Sequence, residues 1–308
     1  MSLNICQDGS LLVAMQESFL FPPRLIELPI EADNHNIRPL EDFNQAMMEE
    51  TSLGKVENIT CKGANDAGIQ MWITYPPDFD PKKKWPVYLV LHGGPHNAIP
   101  DAFTFRWNAQ VFASWGYIVA IHNFHGSSGF GQDFTASIIK NRRDLPYQDT
   151  IKAAEYLQKK DWIDSERIAA GGASFGGYLA CILQGAQHPF KTLINHAGVF
   201  NNFTQNGADY ASIDNIAGEY WQDYDQYLET SPHHYAKNFK TPMLILHGEK
   251  DYRVPVNHAA EVYHILQKLR IDSRLVVYPD ENHWVLNRFN SLHWYEEKRR
   301  WLQKYLGQ

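Results

Sequence analysis

The sequence predicts an α/β protein with a mainly parallel central sheet and helices on both faces. Three observations support this class. Short apolar runs alternate with amphipathic segments along most of the chain, several runs are apolar at every position, and a glycine-rich turn joins one run to a helix. In such sheets functional side chains collect beyond the carboxyl ends of the strands.

The first fifty residues follow another pattern. Residues 7–10 predict a turn, residues 11–15 a strand and residues 21–25 an extended segment, which together are typical of the end of a β structure. Residues 41–50 predict a short helix that ends near Gly54. We therefore expect an N-terminal extension over residues 1–54 and the main domain over residues 55–308.

From residue 55 the elements alternate regularly. Residues 56–61 and 69–75 predict a β-hairpin, because their apolar positions alternate on either side of a glycine-bounded turn. The remaining elements are expected as strands at residues 87–91, 117–121, 167–170, 192–196, 243–247 and 274–278, and as helices at residues 103–115, 144–160, 257–269 and 288–306.

The glycine-rich turn matches the pattern G-x-S-x-G, with Ser174 between Gly172 and Gly176. A strand precedes it and a helix follows, which is the setting of a nucleophile elbow. The flanking glycines let strand and helix approach closely while the serine hydroxyl stays exposed. The alternative is a glycine-rich turn with an incidental serine.

A serine nucleophile needs a histidine base and an acid that orients it. Asp251 follows the strand at 243–247, and His283 follows the strand at 274–278, so the chain order is Ser, Asp, His, as in α/β-hydrolases. The rival candidates for the acid are Glu249, Asp272 and Asp280. Three other histidines are expected to pack in the interior or to face solvent: His247, His258 and His264.

An oxyanion needs hydrogen-bond donors, and the backbone N–H of Phe175, directly after the nucleophile, is one candidate. The second is expected from Gly93 or Gly94, after the strand at 87–91, and we favour Gly94. His92 and His96 flank this turn rather than sharing a helix face, so no metal site is predicted. No dinucleotide fingerprint is present either, and the sequence indicates no cofactor.

Composition narrows the partners. The net charge of −7 and the absence of a basic block argue against nucleic acid and anionic membranes, and no apolar run reaches membrane-spanning length. Cys6, Cys61 and Cys181 are expected to be buried thiols. Trp294, Trp301 and Tyr305 could pack a homo-oligomer. The cell compartment is unknown, with the cytoplasm favoured if Met1 is the true start.

Four ordered motifs together resemble the prolyl oligopeptidase family, particularly its acylaminoacyl-peptidase branch: HGGPH at 92–96, GASFGG at 172–177, HGEKDYRVP at 247–255 and ENH at 281–283. The resemblance runs from about residue 55 to the end. It implies a serine peptidase that removes aminoacyl, acylaminoacyl or dipeptidyl units from peptide substrates. A carboxylesterase on the same fold and a catalytically silent binding scaffold are the alternatives.

The resemblance also implies substrate contacts. Arg253 matches a family position that faces a substrate carbonyl or the blocked amino end; the alternative is an ordinary surface arginine. Residues 198–240 form an aromatic insert that interrupts the alternation, and its side chains would correspond to the wall of the first specificity pocket: Phe200, Phe203, Tyr220 and Trp221. The same insert could instead supply ordinary core aromatics.

Two departures from the family pattern stand out. Members usually carry an arginine where this chain has His125, so the packing of that loop is expected to differ. The family also places a β-propeller ahead of the hydrolase domain, and 308 residues leave no room for one. Residues 1–54 resemble the exit from such a propeller, which suggests a fragment or a naturally reduced form.

Overall fold

The computed structural model describes residues 3–30, 36–209 and 219–307. Two sheets organise them. An eight-stranded sheet holds the main domain, and its strands in chain order are Val56–Lys62 (β5), Gly68–Thr74 (β6), Trp85–Leu91 (β7), Ile118–His122 (β8), Ile163–Ala173 (β9), Thr192–His196 (β10), Met243–Gly248 (β11) and Ser273–Tyr278 (β12). A four-stranded antiparallel sheet precedes it, with strands Leu3–Ile5 (β1), Leu11–Ser18 (β2), Phe21–Pro29 (β3) and Arg38–Pro39 (β4).

The large sheet has the strand order β12-β11-β10-β9-β7-β8-β6-β5. The six strands from β12 to β8 run parallel, whereas β6 pairs antiparallel with both β8 and β5. The predicted fold class and the hairpin at its edge are confirmed. The carboxyl ends of β7, β9, β11 and β12 therefore open on one edge of the sheet, which brings together loops that are far apart in sequence.

Helices cover both faces of this sheet. All helices of the described residues are Gln45–Glu49 (α1), Ala109–Ser114 (α2), Gln132–Ala136 (α3), Asp144–Gln158 (α4), Phe175–Gln184 (α5), Asn202–Gln205 (α6), Tyr224–Thr230 (α7), Asn257–Lys268 (α8) and Arg288–Leu306 (α9), with 3-10 turns at Ala64–Asp66 and Pro232–Asn238. Side chains of α4, α5 and α8 join one hydrophobic core, and those of α2 and α9 join the other. Alternate residues of β7 point into the two cores, as expected for a strand covered on both sides.

The helix predicted over residues 103–115 is much shorter than expected. It begins only at Ala109, because Asn108 is the N-cap and its side chain accepts hydrogen bonds from the amides of Gln110 and Val111. Trp107, with φ of 55°, lies outside the helical region of backbone conformation. Residues 103–107 therefore form an irregular segment beside the functional edge of the sheet.

Two expectations are partly wrong: that aromatic residues of the last helix pack a homo-oligomer, and that all three cysteines are buried. Trp294 and Trp301 lie in the core beneath α9 and are only 4% and 5% exposed, so they pack the domain itself rather than an oligomer. Tyr305 is half-buried. Cys61 and Cys181 are buried as expected, but Cys6 is exposed beside the edge strand β1.

The boundary at residue 54 stays a prediction. The small sheet contacts the main domain through Phe19, whose amide donates to Asp101 at 2.7 Å and whose ring lies 5.2 Å from that of Trp72.

Within the described ranges, no helix combines the length and apolar character needed to cross a membrane.

Candidate active site

Ser174 occupies a sharp bend between β9 and α5. Its φ of 57° and ψ of −116° are strained values for a residue with a side chain, and that side chain makes no capping hydrogen bond to the helix. A Cβ at Gly172 would lie 2.1 Å from the carbonyl oxygen of Leu91, and a Cβ at Gly176 would lie 2.0 Å from the same atom. The two glycines are therefore required by the close passage of β7 beneath the bend.

Asp251 lies in the loop after β11 and is 2% exposed. Its Oδ1 accepts hydrogen bonds from the amides of Arg253 at 3.0 Å and Val254 at 2.9 Å, while Oδ2 lies 2.6 Å from Nδ1 of His283. Burial raises the pKa of Asp251, but hydrogen bonds from His247 and His283 outweigh this and hold the pKa below its ordinary value. The carboxylate is thus ionised and fixed in orientation.

His283 follows β12 and is 7% exposed. Because Nδ1 donates to the carboxylate of Asp251, Nε2 is the ring nitrogen left to accept a proton. His283 and Ser174 line the same cavity, which has a volume of about 510 Å³. The three residues predicted to form a triad therefore lie at one edge of the sheet. Asp251 and His283 are hydrogen-bonded to each other, and His283 and Ser174 face one cavity.

The rival acids lie in other surroundings. Glu249 and Asp280 are exposed, and Asp272 pairs with Lys304 and Tyr305 of α9. His258 is buried and His264 exposed, in line with packing and surface roles. His247 is buried, and it lies directly beside the candidate acid. Its Nε2 donates to the carbonyl of Val254 at 2.7 Å and lies 3.3 Å from Oδ2 of Asp251.

The glycine turn after β7 lies beside the nucleophile. A Cβ on Gly93 would approach the carbonyl oxygen of Ala173 to 3.0 Å and Cβ of Ser174 to 3.4 Å, and Gly94 has a φ of 127° that favours glycine. Both residues line the cavity. Phe175 begins α5, so its amide belongs to the first turn, where backbone N–H groups lack helical partners.

His92 holds this turn from below. Its Nδ1 donates to the carbonyl of Gly93 at 2.8 Å, its Nε2 lies 3.0 Å from Oγ of Ser127, and its ring stacks on Phe124 with centroids 4.0 Å apart. Burial lowers the pKa of His92 to about 4, so the ring is neutral near pH 7. This histidine therefore positions the turn. In the described part of the chain, no three His, Cys, Asp or Glu side chains are grouped as metal ligands.

The loop with His125 is anchored by Asp149 of α4. The carboxylate accepts hydrogen bonds from the His125 amide at 2.6 Å and from its Nδ1 at 2.7 Å, and also from the amide of Ala64 at 2.7 Å. Asp149 is fully buried. The unusual histidine thus has its own partner, and the loop is tied to the main domain without an arginine.

The aromatic residues expected to contact substrate do not line this cavity. Phe200 is fully buried in the core near Phe239, and Phe203 packs on Tyr224 and Tyr227. The other two, Tyr220 and Trp221, are exposed and pack on each other with centroids 4.9 Å apart. Because α6 and α7 pack together, the insert directs these side chains either into the protein interior or toward solvent. Tyr210, also in the insert, lies outside the described residues.

Other side chains form the wall instead. Arg253 lines the cavity as expected, with its guanidinium carbon 4.9 Å from the centroid of the Trp284 ring. The aromatic and apolar lining also includes Phe105, Trp107, Val199 and Trp284. Sequence reasoning missed Phe105 and Trp107 because the predicted helix concealed the irregular segment that carries them. It also missed Arg142, which lies 109 positions before Asp251 and carries no motif.

Comparison with known proteins places this geometry in context. A model of the prolyl oligopeptidase family matches residues 103–308. Dipeptidyl-peptidase 5 of Schizosaccharomyces pombe is 36% identical, over 99% of this chain and 44% of that protein. A probable dipeptidyl-peptidase 5 of Aspergillus terreus is 39% identical, over 78% of this chain and 34% of that protein.

Solved structures agree on the fold. Pyrococcus horikoshii acylaminoacyl peptidase superposes with a TM-score of 0.89 at 23% identity, over all of this chain and 50% of that one. Porphyromonas gingivalis dipeptidyl peptidase 4 gives a TM-score of 0.86 at 22% identity, over 99% of this chain and 43% of that one. The chain spans less than half the length of the dipeptidyl-peptidase 5 relatives it matches.

Proposed function

This chain belongs to the prolyl oligopeptidase family, and from that membership we propose that it is a serine peptidase that removes short N-terminal units from peptides. The observation that carries the proposal is the 2.6 Å hydrogen bond between Asp251 and His283, beside a cavity that His283 shares with Ser174. The names of the relatives favour dipeptidyl or acylaminoacyl units, and single aminoacyl units are the third class that we consider.

In the proposed mechanism, the hydroxyl oxygen of Ser174 attacks the substrate carbonyl carbon and its proton passes to Nε2 of His283. The carboxylate of Asp251 stabilises the imidazolium that results. The negative charge on the substrate oxygen is stabilised by the amide of Phe175 and a second donor in the glycine turn, for which Gly94 remains our choice over Gly93. His283 then returns the proton to the leaving amine.

The acyl group is now bound to Ser174, and a water molecule completes the cycle. His283 takes a proton from this water as its oxygen attacks the acyl carbon, and the same proton returns to Ser174 when the new acid leaves. Arg253, at the wall of the cavity beside Trp284, is suited to hold a substrate carbonyl during both steps. No step needs a metal or an organic cofactor.

Three classes of p-nitroanilide substrate would test this proposal: a free aminoacyl, an N-acetyl-aminoacyl and a dipeptidyl anilide, each compared with a matched p-nitrophenyl ester. We expect anilide cleavage and covalent labelling of Ser174 by a fluorophosphonate. Ser174→Ala should abolish both, whereas Ser114→Ala, at an exposed serine on α2, should leave both intact.

The other outcomes identify the alternatives. Ester cleavage without cleavage of any anilide would indicate a carboxylesterase, because amides demand better protonation of the leaving group. A folded protein that the fluorophosphonate does not label would indicate a silent scaffold. Either result would overturn the peptidase assignment.

A further inference from the structure

Arg142 is a buried cation in the wall of the candidate active site. It lies in the turn just before α4, is 2% exposed, and lines the same cavity as Ser174 and His283. Its guanidinium carbon lies 4.7 Å from the ring centroid of Tyr178 and 5.5 Å from that of Phe175. The cation therefore packs on side chains of the helix that begins directly after the nucleophile.

Neither Nε nor Nη1 of Arg142 has a hydrogen-bond partner among the residues that the structure describes. No ion pair involving this guanidinium occurs there either, and burial lowers the pKa of Arg142. The next residue makes the contrast clear, because Nε of Arg143 lies 2.7 Å from the carboxylate of Asp144. Burying an unpaired cation is strongly unfavourable, so these donors indicate a site that an external group completes.

The rest of the cavity favours an anion as that group. Arg106 and Arg253 also line it, and its lining in the described chain contains no Asp or Glu. The protein as a whole carries a net charge of −7, so the cavity is a cationic region on an acidic molecule. Such a concave region attracts negatively charged ligands and repels positive ones.

The packing on Phe175 relates Arg142 to a particular part of the substrate. In the proposed mechanism the amide of Phe175 binds the oxyanion, and Phe175 lines the cavity together with Ser174 and Arg142. A guanidinium whose carbon lies 5.5 Å from the centroid of that ring, in the same cavity as the nucleophile, is a candidate contact for the side chain of the residue under attack. A neutral carbonyl would leave the buried charge uncompensated, whereas a carboxylate can accept two parallel hydrogen bonds from it.

We propose that Arg142 binds the carboxylate of an aspartate or glutamate side chain on the residue whose carbonyl Ser174 attacks. The inference rests on the proposed peptidase function and specifies its substrate class: peptides with an acidic residue immediately before the cleaved bond. Arg142 is then a specificity-determining residue.

The test uses N-acyl and dipeptidyl p-nitroanilides that differ only in the residue before the anilide. For the unmodified chain we expect kcat/KM for glutamate to exceed that for its isostere glutamine roughly 10- to 100-fold, because the hydrogen bonds to a carboxylate are charge-assisted. Arg142→Met should reduce this ratio to about 1, and Arg142→Lys should retain part of it. Arg143→Met is the matched control, since Arg143 does not line the cavity, and should keep the full ratio.

Each contrary result has a distinct meaning. If the unmodified chain cleaves the glutamine or alanine anilide with the same kcat/KM as the glutamate anilide, the inference is wrong and the peptidase function stands. If glutamate is preferred but Arg142→Met and Arg142→Lys both keep the full ratio, another cation is responsible and the inference is also wrong. If no anilide is cleaved and Ser174 is not labelled, the proposed function itself fails.

Discussion

The carboxylate of Asp251 and the imidazole of His283 are 32 positions apart in sequence and 2.6 Å apart in the structure. Two neighbouring parallel strands, β11 and β12, deliver them to the same edge of the sheet. Two backbone amides hold Oδ1 of the carboxylate, while Oδ2 accepts a hydrogen bond from Nδ1 of His283. Because Nδ1 is the donor in this bond, Nε2 is the nitrogen that can act as a base. Asp251 thereby sets the tautomer on which the proposed mechanism depends.

Replacing Asp251 by asparagine should lower kcat on a cleaved anilide by about 10³- to 10⁴-fold, because an amide no longer enforces this tautomer or stabilises the imidazolium. Circular dichroism should show a folded protein. Asp280→Asn, at an exposed aspartate near His283, is the control and should lose less than about twofold, as surface substitutions usually perturb little. Comparable losses in both variants would contradict the assignment of the acid.

Replacing Gly176 by alanine should lower the free energy of unfolding by about 3 kcal/mol or more, since the new methyl group would lie 2.0 Å from a backbone oxygen of β7. Urea denaturation measures the change. Gly207→Ala, where the nearest atom is 3.8 Å from the new Cβ, should cost far less. Equal stability of the two variants would show that the bend after β9 is not held by its contact with β7.

Arg253→Met should raise KM for a dipeptidyl anilide by roughly tenfold, with a smaller effect on kcat, because the change removes a charge-assisted hydrogen bond to the substrate. The matched control is Arg288→Met, whose guanidinium also lies over a ring, that of Phe289 at 4.5 Å, but outside the cavity. A KM that rises equally in both variants would argue against a substrate contact at Arg253.

The free energy of unfolding should fall as the pH falls below about 6.5. Burial lowers the pKa of His122 to about 3, and burial lowers the pKa values of His92, His188 and His258 to about 4. Between these values and the ordinary histidine pKa the unfolded chain binds more protons, so acid favours unfolding by up to about 1.4 kcal/mol per pH unit for each histidine. The lowered pKa of Asp251 adds stability above its unfolded pKa that is lost at still lower pH.

Urea denaturation at several pH values from about 4.5 to about 7.5 would check this slope. His122→Gln should make the dependence shallower, because it removes one buried imidazole while an amide can still bond to Thr150. His264→Gln, at an exposed histidine, should leave the slope unchanged. A stability that is flat from about pH 4.5 to about 6.5 would rule out the neutral buried histidines.

The sequence by itself determined the alternation of strands and helices, the bend at Ser174, and the chain order of Ser174, Asp251 and His283. These are local or one-dimensional properties: apolar periodicity, glycine where backbone must pass closely, and short motifs at strand ends. The edge strands were predicted within a few residues for the same reason.

Only the tertiary structure decided which side chains enclose the cavity. Phe200 turned into the core, while Phe105 and Trp107 entered the cavity from an irregular segment that periodicity had assigned to a helix. Arg142 belongs to no motif, and that its Nε and Nη1 find no hydrogen-bond partner in the described ranges becomes visible only once β9, α5 and the turn before α4 are packed together. Burial and pairing are properties of long-range contacts, which depend on how distant segments pack and are not encoded in the spacing of residues along the chain.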